Sequence, residues 1–256
     1  MRRESFAAAG PIFFEAVTSS GDVEILPGAA GEVIVELRGG PADQYTVEMN
    51  AADLNIRPPT KPSGKNRYAS TDIKIYVPDD SAGTVRTASG DVLVVVPLRN
   101  LVVATASGDC RVQQRLNEDF EAKSASGDLK LADVGGNLSA TTASGDLVAG
   151  DVGADFRFNS ASGDARVGTV AGTVEVKTVS GNLSVRATAG PSFRARSLSG
   201  SVRVGIPAGR MVDLDMQTLS GEVINCIEKS ASGAGERTSL AISVKTVSGS
   251  LKLESA

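Results

Sequence analysis

The chain has 256 residues, 41% apolar and 22% charged, with a mean hydropathy of −0.01, a balance that argues for one or two folded domains and against disorder or a membrane span. It contains no His and no Trp, which excludes Ser-His-Asp and Cys-His centres, zincin sites and imidazole acid–base pairs. The net charge of −4 lacks the basic excess of a nucleic-acid binder, so neither DNA nor RNA is expected as a partner.

At the start of the chain, Met1-Arg2-Arg3-Glu4-Ser5-Phe6 runs into Ala7-Ala8-Ala9-Gly10-Pro11, without the apolar stretch of about 7 to 15 residues that a secretory signal needs. No run approaches the roughly 20 apolar residues of a membrane helix. The chain as it stands therefore reads as cytoplasmic, and a cell-surface address would require an export signal already removed. Residues 1–80 hold irregular β elements: Val17 to Ile25 around Gly21-Asp22, Val33 to Leu37, and Asp72 to Val77 closed by Pro78. This section is expected to cap the first coil of the repeats beyond residue 80 and shield its edge, with Phe6, Phe13 and Phe14 as the plug. A Pro-rich basic loop at residues 57–71 interrupts it.

From residue 81 to the end the chain repeats itself. Ser-Gly-Asp recurs at Gly90, Gly108, Gly127, Gly145 and Gly163, then weakens to Ser-Gly-Asn at Gly181, Ser-Gly-Ser at Gly200 and Gly249, and Ser-Gly-Glu at Gly221. Successive glycines are 18, 19, 18, 18, 18, 19, 21 and 28 residues apart, the signature of a solenoid. A fainter copy lies about nine residues on, as in Val134-Gly135-Gly136-Asn137-Leu138. The unit reads apolar, any, Gly, any, apolar, any, apolar, which is the period of a half-buried strand. The fold class is therefore all-β: a single-chain, flattened β-solenoid of 18-residue coils, each made of two 9-residue strand units stacked about 4.8 Å apart.

Continuing the alternation through each glycine places Ala88, Ala106, Ala125, Ala143 and Ala161 inside, then Val179, Leu198, Leu219 and Val247, so the core is expected to widen along the chain. Phe156, Phe158 and Phe193 also fall on inward slots. Glycine shares that parity, as if the opposite wall left no room for a Cβ. Thr87, Thr105, Ser124, Thr142, Ser160 and Thr178 then become hydrogen-bonded surface rungs. Cys110 and Cys226 are too far apart in sequence for a CxxC site and are read as free thiols. A second loop, 228–240, fills the longest step.

The T-A-S-G-D pattern followed by alternating apolar residues, the Gly21-Asp22-Val23-Glu24-Ile25 unit and the Val77-Pro78 strand end together resemble the bacterial putative-adhesin family of β-strand-repeat proteins. The resemblance runs from about Phe13 to Leu253. It implies a β-helical fold and a role in adhesion or cell-envelope response, and brings no catalytic residues.

Asp91, Asp109, Asp128, Asp146 and Asp164 are expected to stack as an outward carboxylate ladder. Such a ladder suits calcium in a β-roll, but the double glycine of the calcium repeat is missing and the acid decays to Asn182, Ser201 and Ser250. The alternative is that these side chains hydrogen-bond the backbone beside the glycine bend. A polysaccharide-active β-helix enzyme would need irregular acid–base pairs and exposed aromatics; the three Tyr, 45, 68 and 76, all lie before the repeats. The sequence thus predicts no enzyme, no cofactor and no catalytic residue. It predicts a binding or scaffold module with a protein or glycan partner, residues 1–80 as cap and 81–256 as regular solenoid. End-to-end self-association into a structural assembly is the alternative.

Overall fold

Polar and apolar residues alternate through each repeat with no hairpin turn between copies, so a strand meets its partner only when the chain has come round one coil, which forces parallel pairing. The computed structural model describes residues 1–60, 69–226 and 239–256. These form an all-β solenoid without an α-helix among the described residues; a 3₁₀ turn spans Ala42–Gln44. The chain divides into two compact units, Met1–Ala132 and Asp133–Ala256.

In the first unit one sheet contains Arg2–Ala7, Glu32–Gly39, Thr71–Val77, Val23–Pro27, Val92–Val94, Cys110–Val112 and Leu129–Leu131, in that spatial order. The facing sheet runs Thr46–Asn50, Asp53–Arg57, Phe13–Ser20, Ser81–Ser89, Leu98–Ser107 and Phe120–Ser126. Antiparallel pairs join Arg2–Ala7 to Glu32–Gly39, Glu32–Gly39 to Thr71–Val77 and Thr46–Asn50 to Asp53–Arg57. The coil ladders are parallel. Spatial order departs from chain order here, because Phe13–Ser20 lies between Asp53–Arg57 and Ser81–Ser89, and Val23–Pro27 between Thr71–Val77 and Val92–Val94.

In the second unit the ladders among the described residues are parallel. Its long strands are Leu138–Ser144, Phe156–Ser162, Val174–Ser180, Ser192–Ser199, Ser239–Ser248 and Met211–Ser220, in spatial order. Its short strands are Leu147–Ala149, Ala165–Val170, Leu183–Thr188, Val202–Ile206, Leu251–Ser255 and Val223–Cys226. The last coil in sequence is inserted before the penultimate one.

The two halves of a coil are unequal: Leu138–Ser144 has 7 residues and Leu147–Ala149 has 3. A third, single-residue rung closes the coil, as in Val134, Val152 and Val170, which bridge in parallel. The inward residues of one coil are Leu138, Ala140 and Thr142 on the long strand, Leu147 and Ala149 on the short one, and Val152 on the rung.

This register corrects the expected side-chain phase. Inward positions are Thr87, Thr105, Ser124, Thr142 and Ser160, all buried, while Ala88, Ala106, Ala125, Ala143 and Ala161 face outward. The alternation does not run through the Ser-Gly-Asp corner: Thr142 and Leu147, the last and first inward residues around Gly145, are five positions apart, where Val134 and Leu138 at the fainter corner are four apart. One extra residue at the corner reverses the parity. Val179, Leu198, Leu219 and Val247 are accordingly exposed, so their larger size does not widen the core. Phe156, Phe158 and Phe193 are buried as expected. Of the proposed plug only Phe14 is buried; Phe13 is 44% exposed and Phe6 half-buried. The loops 57–71 and 228–240 fall mostly on residues 61–68 and 227–238, outside the described residues.

Candidate functional site

The Ser-Gly-Asp corner turns the long strand into the short one. Its glycine takes a positive φ, 139° at Gly163 and 146° at Gly145, a region that residues with a Cβ rarely enter. A Cβ on Gly163 would meet the carbonyl of Gly145 in the neighbouring coil. It is this stacking of corner on corner, rather than the opposite wall, that reserves the position for glycine. The buried hydroxyl two residues before the serine fastens the same turn: Ser160 Oγ donates to the Ser162 carbonyl at 3.0 Å and Ser197 Oγ to the Ser199 carbonyl at 2.9 Å. The Ser/Thr rungs are therefore inward positions and not surface rungs: Thr18 and Thr178 make the same bond, at 3.0 and 3.1 Å, whereas the buried hydroxyls of Thr87, Thr105, Ser124 and Thr142 have no hydrogen-bond partner among the described residues.

The aspartate ladder satisfies backbone amides of adjacent coils. Asp91 Oδ1 accepts from the Asp109 N–H at 2.9 Å, Asp109 Oδ1 from the Asp128 N–H at 2.8 Å, and Asp146 Oδ1 from the Asp164 N–H at 2.8 Å. Asp164 Oδ1 accepts from the Asn182 N–H at 2.8 Å, and Asn182 Oδ1 serves Ser201 in turn at 3.0 Å. An amide that the corner swings away from the carbonyl ladder thus gains a side-chain acceptor. Asparagine supplies the same oxygen, which explains why the ladder decays to Asn182 without a break. The sequence places this backbone hydrogen bonding within the turn, whereas in the structure it crosses from coil to coil. Among the described residues no three Cys, Asp or Glu side chains are grouped to hold a metal ion.

Sequence reasoning missed a second ladder at the fainter corner. Asp133 Oδ1 accepts from the Asp151 N–H at 2.9 Å and Asp151 Oδ1 from the Thr169 N–H at 2.6 Å. Asn137 and Asp155 likewise serve the amides of Asp155 and Thr173. The signal is present as Asp or Asn 18 residues apart, at 133 and 151 and at 137 and 155. The Thr169 amide, followed by the Arg186 guanidinium 2.7 Å away, holds the Asp151 carboxyl below the usual carboxylate range despite partial desolvation.

Cys110 points into the core, where burial, with Asp109 adding to it, pushes its thiol up to about 12. Both cysteines are free, Cys110 buried and Cys226 exposed. A thiol-specific chromogenic reagent is therefore expected to titrate one thiol in the native protein and two after denaturation.

Among the described residues no helix is long and apolar enough to cross a membrane. The model of the Toastrack DUF4097 family matches residues 17–254, and no curated protein matches the chain. Among solved structures, a putative adhesin from Parabacteroides distasonis ATCC 8503 aligns with a TM-score of 0.53 at 12% identity, over 98% of this chain and 96% of that one. A putative lipid binding protein from the same strain aligns at 0.46 and 14% identity, over 98% and 96%. A putative adhesin from Parabacteroides merdae ATCC 43184 aligns at 0.40 and 7%, over 98% and 95%. At 12% identity the first of these carries the likeness of fold alone.

Proposed function

The chain belongs to the Toastrack DUF4097 family, and from that premise we propose that it is a non-catalytic, adhesin-like binding scaffold. The observation that carries this reading is the in-register stacking of outward positions: Ser139, Arg157, Glu175 and Arg194 form one straight row, Thr141, Asn159, Lys177 and Arg196 the next. Rows repeating at coil spacing offer an extended partner many equivalent contacts, whereas catalysis needs unlike groups converging on one point. In this reading residues 1–80 act as a cap section and 81–256 as the repeating surface. The corner carboxylates serve neighbouring amides and not calcium, and the partner is a glycan or a protein. The description of the first solved relative as an adhesin supports a place at the cell surface over a cytoplasmic one; cell fractionation distinguishes the two.

A glycan array followed by end-group analysis tests the reading. Retention of a glycan class with its chain length unchanged is the expected result. New reducing ends would make the chain an enzyme and overturn it.

One observation favours self-assembly as a second reading. Met211–Ser220 and Val223–Cys226 each end their sheet, with no strand beyond them among the described residues, and such edges recruit other strands. Filaments in electron micrographs of purified protein would support it, and a monodisperse monomer in sedimentation would reject it.

A further inference from the structure

We propose that one outward face of the second unit docks on an anionic lipid bilayer surface. Two adjacent rows of that face change character in the same coils. Along the sheet, Thr141 and Asn159 are followed by Lys177, Arg196 and Lys245 at in-register positions, before Gln217 ends the row. Two residues further along each strand, on the same face, Ala143 and Ala161 are followed by Val179, Leu198, Val247 and Leu219. These four are 50%, 54%, 44% and 85% exposed. Leu198, Leu219 and Val247, with Lys177, Arg196 and Lys245, line an open depression of about 820 Å³.

Neither row is explained by folding. The apolar side chains bury nothing in the core, and their counterparts at positions 143 and 161 show that alanine suffices there. Like charges directly opposite on neighbouring strands repel, and at a spacing of about 4.8 Å an unanswered cationic row weakens the stack that holds it. Lys177 pairs with Glu175 at 2.8 Å, whereas Arg196 and Lys245 have no ion pair among the described residues. A row of cations beside a row of exposed aliphatic groups complements lipid headgroups above a hydrocarbon boundary. The cations meet the phosphates while the Leu and Val side chains enter the acyl region. A soluble polyanion would leave the apolar row in water, and an uncharged membrane would leave the cations without counter-charge.

The inference rests on the reading of the chain as a binding scaffold and names a partner for one face of it. The test is sedimentation of the full chain with vesicles of phosphatidylglycerol mixed into phosphatidylcholine, against vesicles of phosphatidylcholine alone. Binding to the anionic vesicles only, weakening with salt, is the expected result. The variants Leu198→Ala/Leu219→Ala and Arg196→Gln/Lys245→Gln each lower that binding by about tenfold or more, with the unfolding midpoint unchanged. The control Arg203→Gln/Lys252→Gln, on the short strands Val202–Ile206 and Leu251–Ser255 of the other sheet, binds as the parent does. Absence of binding to the anionic vesicles, equal binding to both kinds, or parent-like binding by both face variants would overturn the inference. Glycan capture retained in such a case would leave the scaffold reading standing.

Discussion

A Gly163→Val variant unfolds roughly 10 °C or more below the parent, the effect of about 4 kcal/mol in a chain of this size. Two costs add at this residue. A branched side chain must adopt the φ of 139° that the corner imposes, in a region nearly reserved for glycine. Its Cβ must also displace the carbonyl of Gly145 in the adjacent coil, and that carbonyl is main chain, in a peptide whose Gly145 N–H is tied to the Ser162 carbonyl at 3.2 Å, so it cannot swing aside as a flexible side chain would. Gly10→Ala is the control: nothing lies within 4 Å of a Cβ there, and its expected shift is within a degree or two. Differential scanning calorimetry of the three proteins checks both statements. A Gly163→Val variant that melts with the parent would mean that the corners do not stack.

Phe156→Ala costs about 3 to 5 kcal/mol. The ring is fully buried, stacks on Phe158 with centroids 6.5 Å apart and planes 12° apart, and lies in register between Leu138 and Val174 of the flanking coils. A coil's interior is lined by few side chains, and the strands around the vacated space are fixed by ladders on both sides, so the site cannot collapse to refill it. Phe13, exposed on the outside of its strand, loses under about 1 kcal/mol on the same change. Urea unfolding measures the difference. Equal losses at the two positions would contradict the inward assignment of Phe156.

The repeat made the solenoid, its coil length and most of its inward residues legible. Leu129, Leu131, Leu183, Val185, Leu251 and Leu253 are buried as the alternation implies. The side-chain phase failed at one physical point, the Ser-Gly-Asp corner. Period-two reasoning assumes continuous extended backbone, and a glycine at positive φ breaks that continuity. Everything read across the corner was therefore inverted, exchanging the buried Thr142 for the exposed Ala143. The order of coils was also hidden, because neighbours in space are not always neighbours in sequence: Gly249 stacks on Gly200, and Gly221 on Gly249. At the candidate site the ladder of Asp91 to Asp164 was visible as a column of acids. Its role was not, because an amide left without a carbonyl partner by the corner has no mark in sequence.

Thermal unfolding of EDTA-treated protein with and without millimolar calcium, for the parent and for Asp109→Asn and Asp109→Ala, tests the assignment of these carboxylates most directly. No calcium shift is expected in any of the three. The midpoint of Asp109→Asn is expected close to the parent's, since the Oδ1 that accepts from Asp128 remains. Asp109→Ala should lose about 1 to 3 kcal/mol for the orphaned amide. A rise of many degrees with calcium in the parent, lost in Asp109→Asn, would contradict the amide-acceptor role, because only an ion bound to the folded state raises the midpoint in that way.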